Sequence, residues 1–258
     1  MKVKDIIKVI EEFAPLSIQE GWDNSGLCIG SPEDEVTSVL LALDCTPALV
    51  DEAIQCGADM IVTHHPLIFS GLKRISTDDI IGETVIKAIK AGIAIYAAHT
   101  SADKVLEGVS GAMAARLELE NVQVLDPDGD GTGLGAVGDL RTPLNGHQVL
   151  ELISEKFKPG AIRSSKPLDG EVSRIAMCGG SGSSLISAAK KAGAQVYISG
   201  DISYHNFFTP EGFMIVDIGH YESEIEIVDI LFSLITKNFP TFAVRITQNL
   251  KRNPVFYF

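Results

Sequence analysis

The chain of 258 residues carries 21 Lys and Arg against 34 Asp and Glu, a formal net charge of -13, with 45% hydrophobic residues. That balance repels phosphate backbones and anionic bilayers, so general nucleic-acid binding is disfavoured, although a metal or a local basic patch can still recruit one phosphorylated small molecule. No apolar run reaches membrane-spanning length, Cys28, Cys45, Cys56 and Cys178 form no CxxC pair, and the charged amino terminus has no signal-type apolar core; together these predict a cytoplasmic protein without disulfides, a thiolate zinc site or a membrane span.

In chain order, Ile6, Ile7, Val9, Ile10 and Phe13 form the apolar stripe of an opening helix that Pro15 ends. The loop Gly21-Trp22-Asp23-Asn24-Ser25-Gly26-Leu27 holds the only tryptophan, as the anchor of a turn or as a pocket wall. Residues 39–43 predict a strand, Thr46 an N-cap, Pro47 the first position of a helix that runs to Cys56, and Gly57 its stop. The next strand, 60–62, runs into Thr63-His64-His65-Pro66. Burying two imidazoles beside an apolar strand is costly unless their nitrogens have partners. Where the chain leaves a sheet, neighbouring side chains need not alternate, so both rings can converge on one site. The readings are a metal site or hydrogen-bonded structural histidines. A helix over 79–91, the stop Gly92 and a strand over 93–98 lead to His99-Thr100-Ser101-Ala102-Asp103. Alternating strands and helices make parallel sheets with sites at strand carboxyl ends, where His99 and Asp103 fall. A further helix is expected over 108–117. Residues 126–135 imitate the first half of a calcium loop, but Val137 stands where a bidentate Glu is needed, so a turn between lobes is the expectation. A helix over 146–157 follows, with His147 as a surface residue.

The second half then resembles the first. A gapless alignment sets residues 38–63 against 174–199, with Gly57-Ala58 on Gly193-Ala194 and His64-His65 on Gly200-Asp201. The strand 213–218 ends in His220 and Glu224, which repeat the spacing of His99 and Asp103. Duplication of a strand–helix–strand unit is the inference, with chance similarity the alternative. The expected fold is therefore α/β, in two similar lobes at 1–125 and 126–258. Gly179-Gly180-Ser181-Gly182-Ser183-Ser184 opens onto a helix start, by ordinary capping or as a phosphate cradle. His205, after a strand end, is a structural or pocket-lining residue. Imidazoles and carboxylates without thiolates suit Zn, Fe, Mn, Ni or Co. A spacing of four places His220 and Glu224 on one helical face. The donors suffice for two divalent metal ions with open water positions, and a carboxylate can bridge them.

The strings GWDNSGLCIG, ALDCTP, THHP, HTSAD, CGGSGSS, GDISYH and DIGHYESE, in order along nearly the whole chain, resemble the Nif-three-like family, often labelled GTP cyclohydrolase I type II homologues, in its short, YbgI-like form. The resemblance implies two similar α/β lobes with a dinuclear metal site in the cleft between them, and a ring-shaped homohexamer. It implies His64, His65, Asp103, His220 and Glu224 as ligands, with Glu224 bridging. Many relatives carry a domain between the lobes, for which 142–168 is too short here. The expected function is that of a metal-dependent hydrolase using a metal-bound hydroxide on a small, nucleotide-like substrate of unknown identity, with His99 or His205 as general acid or base. The alternative is a non-enzymatic metal-binding or metal-delivery protein acting through partners. The aromatic tail Asn253-Pro254-Val255-Phe256-Tyr257-Phe258 is expected to dock, across a subunit contact or over the cleft.

Overall fold

The computed structural model describes residues 1–248 and 253–258. Its strands, in chain order, are β1 (Gly26–Ile29), β2 (Ser38–Ala42), β3 (Met60–Thr63), β4 (Ala94–Ala97), β5 (Glu120–Pro127), β6 (Gly133–Asn145), β7 (Arg163–Ser164), β8 (Glu171–Met177), β9 (Val196–Ser199), β10 (Met214–Asp217) and β11 (Ala243–Ile246). They form one sheet in the order β1-β4-β3-β2-β11 and another in the order β5-β6-β8-β9-β10-β7. The chain divides accordingly into a unit of Met1–Ala102 with Ile227–Arg252 and a unit of Asp103–Glu226 with Asn253–Phe258. The division thus falls at 102/103 instead of 125/126, and the first unit is completed by residues from late in the chain.

In the first unit β2, β3 and β4 pair in parallel, and every residue of the three is buried. Their crossovers are the helices Pro47–Cys56 and Ile80–Ala91, whose starts are fixed by Thr46 Oγ1 accepting from the Leu49 amide and Asp79 Oδ1 from the Gly82 amide. Leu40, Val50, Ile61, Val85 and Ile95 fill the core between helices and sheet, each such side chain contributing about 1.5–3 kcal/mol through burial. The opening helix Val3–Phe13 buries Val3, Ile6, Val9 and Ile10. Two elements without a counterpart in the sequence-based expectations complete this unit, the helix Ile227–Asn238 and β11. That helix buries Ile227, Val228, Leu231 and Ile235, and β11 extends the sheet beside β2.

The second unit repeats the arrangement, with β8, β9 and β10 in parallel. Residues 126–135, expected to join two lobes, instead form the turn of the antiparallel pair β5–β6 within this unit. There Asp128 N–H donates to the Thr132 carbonyl and Thr132 N–H to Asp130 Oδ1, both at 2.9 Å.

The duplication is visible bond for bond. Gly57 at φ 69° and Gly193 at φ 75° occupy aligned positions. The following amides, Ala58 and Ala194, donate to Ala53 and Ala189 at 2.9 and 3.1 Å. Asp59 and Gln195, also aligned, each fold back onto amides in or just before the preceding strand. Asp59 Oδ2 accepts from the Thr37 and Ser38 amides at 2.7 and 3.3 Å, and Gln195 Oε1 from the Ser173 and Arg174 amides at 3.2 and 2.9 Å. Burial acts to raise the Asp59 carboxyl, but the Thr37 and Ser38 hydrogen bonds outweigh it and hold it below the ordinary value.

Candidate metal centre

The parallel pairing places the chain just past β3 beside the chain just past β4, where Ala98 N–H donates to the Thr63 carbonyl at 2.9 Å. His64, His65 and His99 therefore gather at one end of the first sheet. Each offers a nitrogen within 4.8 Å of the others', and the ring centroids lie 4.9 to 5.5 Å apart. His64 is fully buried. Its Nδ1 lies 2.8 Å from the Ala98 carbonyl. A carbonyl only accepts, so Nδ1 carries the proton and Nε2 the lone pair.

The other rings are held the same way by carboxylates. His65 Nδ1 meets Asp44 Oδ1 at 2.8 Å, and His99 Nδ1 meets Asp23 Oδ1 at 2.7 Å. The Asp23 side chain is wholly covered. Burial would raise its carboxyl, but hydrogen bonds from His99, Thr100 and Ser25 prevail and keep it far below the carboxylate range. A carboxylate on Nδ1 fixes the tautomer and turns Nε2 into the coordinating or proton-moving nitrogen.

In the second unit the helix His220–Glu224 follows β10. Its spacing brings His220 Nε2 to 3.0 Å from Glu224 Oε2, while His220 Nδ1 lies 2.8 Å from Asp201 Oδ2. Glu224 is only 4% exposed. Glycines make its place: a Cβ on Gly180 would stand 2.1 Å from Glu224 Oε1, and one on Gly200 2.7 Å from the His220 amide nitrogen. Gly180 is therefore a clearance for the helix His220–Glu224. The Gly180 and Gly182 amides donate to Ser223 Oγ and Ser199 Oγ at 2.9 and 3.0 Å, so they are engaged within the fold instead of forming a phosphate cradle. Ala98 and Ile218 donate to the aligned Thr63 and Ser199 carbonyls, which places His220 one residue further past its strand than His99. The His-xxx-acid spacing repeats with a register step of one.

Of the residues singled out in the sequence, His64, His65 and His99 come together in the first unit, and His220 and Glu224 in the second. Asp103 ends the helix Thr100–Asp103 directly after His99. Burial, followed by the charges of Asp103 and Glu224, pushes the Cys178 thiol far up, so it offers no thiolate. Nitrogen and carboxylate donors without thiolate fit a divalent metal such as Zn, Fe, Mn, Ni or Co. His205 is exposed, packs between Tyr204 and Phe208, and joins neither group among the described residues. His147 is exposed, as expected. Sequence reasoning passed over Asp23, Asp44 and Asp201. Asp44 and Asp201 stand two residues past β2 and β9, so the strand-end rule applied to His99 would have found both.

The aromatic tail packs in part against this second group. Asn253 Nδ2 donates to Glu222 Oε1 at 2.9 Å and the Tyr257 ring lies against Gly160, while Val255, Phe256, Tyr257 and Phe258 all remain exposed.

These features define an α/β protein, built twice over, whose strand ends carry histidine and carboxylate groups able to hold metal. The family described as Duf34/NIF3 (NGG1p interacting factor 3) matches residues 1–254, and the chain belongs to it. A relative from Clostridium perfringens (strain 13 / Type A), named GTP cyclohydrolase 1 type 2 homolog, is 37% identical over 228 residues, 87% of either chain. One of the same name from Clostridium acetobutylicum is 34% identical over 229 residues, 87% of this chain and 85% of its own. A solved Bacillus cereus protein related to NIF3 matches at a TM-score of 0.91 and 26% identity, covering 100% of this chain and 99% of its own. No helix among the described residues is long and apolar enough to cross a membrane.

Proposed function

We propose that the chain holds two divalent metal ions through His64, His65, Asp103, His220 and Glu224, with Glu224 as the bridge, and acts as a metal-dependent hydrolase on a small, nucleotide-like substrate. The observation that carries this reading is the shared treatment of the histidines: each has Nδ1 against a carbonyl or carboxylate, as metal-ligating imidazoles do. Bound divalent metals supply Lewis acidity toward water and a polar substrate group. The chain's own part is to orient these donors and to move a proton at His99 Nε2, with Asp23 stabilising the imidazolium that forms. Six copies in a ring are part of the proposal, and light scattering measures that number.

The test is elemental analysis of reconstituted protein beside a screen of phosphate-ester, amide and heterocycle hydrolysis. His99→Ala is expected to retain metal and lose about 10²–10⁴ in turnover, the worth of general acid–base help. His205→Ala measures how far that loss is specific to the Asp23–His99 pair. Metal lost with His99 would make it a ligand, and full turnover in His99→Ala would end its catalytic assignment.

A further inference from the structure

Two large aromatic side chains beside His99 are left exposed by the fold. Trp22 is 59% and Phe69 51% exposed, an arrangement that costs hydration free energy unless something covers it. Their rings lie 5.8 Å apart at 44°, and both meet His99 nearly edge-on, at 6.1 and 6.2 Å. Neither sits on a loose loop. Asn24 Nδ2 donates to the Ile68 carbonyl at 2.6 Å, latching the tryptophan loop to the phenylalanine loop. Next to Trp22, Asp23 is bound by His99, Thr100 and Ser25. The rings are thus presented at fixed positions beside the histidine group.

We propose that Trp22 and Phe69 form a stacking subsite for a planar heteroaromatic ring of nucleobase type, which holds the substrate's ring while its reacting group faces His99. The subsite stands on the aromatic geometry, and only the position of the reacting group rests on the hydrolase reading. Indole offers the strongest stacking face among side chains, and stacking accepts any flat ring while leaving its edges free.

Trp22 is the only tryptophan, so its fluorescence reports this place alone. The full chain, with and without metal, is titrated with AMP and GMP, and with ribose 5-phosphate as the ringless comparison. Saturable quenching by a purine nucleotide and none by ribose 5-phosphate is the expected result. Phe69→Ala, which keeps the reporter, should weaken binding about 5- to 150-fold, equivalent to about 1–3 kcal/mol at 1.4 kcal/mol per tenfold, and Phe69→Tyr should restore it. The proposal is overturned if neither nucleotide quenches, if ribose 5-phosphate does so equally, or if Phe69→Ala binds as tightly as the parent. A change of molecular mass in Phe69→Ala without any nucleotide response assigns the rings to a contact between copies and also overturns it. Metal content, measured separately, keeps the two readings apart: quenching without metal uptake supports the subsite and removes the hydrolase reading, and metal uptake without quenching does the reverse.

Discussion

The two units carry one backbone plan and opposite solutions for the same positions. After β3 the first unit places His64-His65, and after β9 the second places Gly200-Asp201. Where the first has Asp44 to hold His65, the second has Gly180, the clearance for Glu224. At aligned strand ends a histidine in one copy is therefore replaced in the other by a glycine, as His64 by Gly200, or by a carboxylate that holds a histidine, as His65 by Asp201. The hydrogen-bonded frame, from Gly57 and Gly193 to Asp59 and Gln195, is kept.

The largest effect that can break this comparison comes from removing one donor on each side. His64→Ala and Glu224→Gln are each expected to weaken metal binding by at least about 100-fold, beyond the range for supporting groups. Chelator competition with elemental analysis reads the loss, and undiminished metal in either variant removes that residue from the ligand set. Supports come next. Asp44→Ala and Asp201→Ala free one imidazole in each unit from its carboxylate, with an expected loss of about 10–100-fold in metal affinity. A loss from only one of them would show that the carboxylate support matters in one unit alone.

Space is the third term. Gly180→Ala meets both a φ of 60° and the Glu224 carboxylate, whereas Gly57→Ala meets a φ of 69° with nothing within 4 Å. Both are expected to lose about 1–2 kcal/mol from backbone strain, or roughly 2–8 °C in Tm for a chain of this size. Only Gly180→Ala should also lose metal, and equal metal content in the two would refute the clearance role. The smallest effect is acid sensitivity. The Asp59 carboxyl is held below its ordinary 3.8, so its clip stabilises the fold above that pH and is lost as pH falls through the lower folded value. Gln195 in the second unit does not titrate. Asp59→Asn should therefore flatten the stability profile below about pH 4, and parallel urea midpoints for parent and variant from pH 6 to 3 would dismiss the clip.

What the sequence disclosed follows the same division. Helix stops, Thr46 and Pro47, and the aligned Gly57-Ala58 and Gly193-Ala194 were legible because capping and duplication act over a few residues. The histidines were legible because polar rings after apolar strands are costly without a purpose. The helix Ile227–Asn238 and β11 were missed as parts of the first unit, since their partners lie some 200 residues earlier and local pattern carries no such address. The glycine loop is legible as a helix cap or a phosphate cradle, but not as the missing Cβ that clears room for Glu224. That depends on where a distant helix lands, and no local spacing reveals it.

The late return of the chain to β2 also sets an order of assembly. All strands of the second sheet lie between residues 120 and 217, while β2 waits for β11 at Ala243–Ile246. On a ribosome adding about 5–20 residues per second, the second unit's sheet can close before the first unit's is complete, although the first is begun earlier. Until then the nascent chain exposes the open edge of β2, a buried-type strand of Ser, Val, Leu, Leu and Ala, the kind of surface that recruits other strands. Premature termination before Ile227 leaves that edge permanently bare, so truncated products are candidates for aggregation or chaperone capture even though their second sheet is whole.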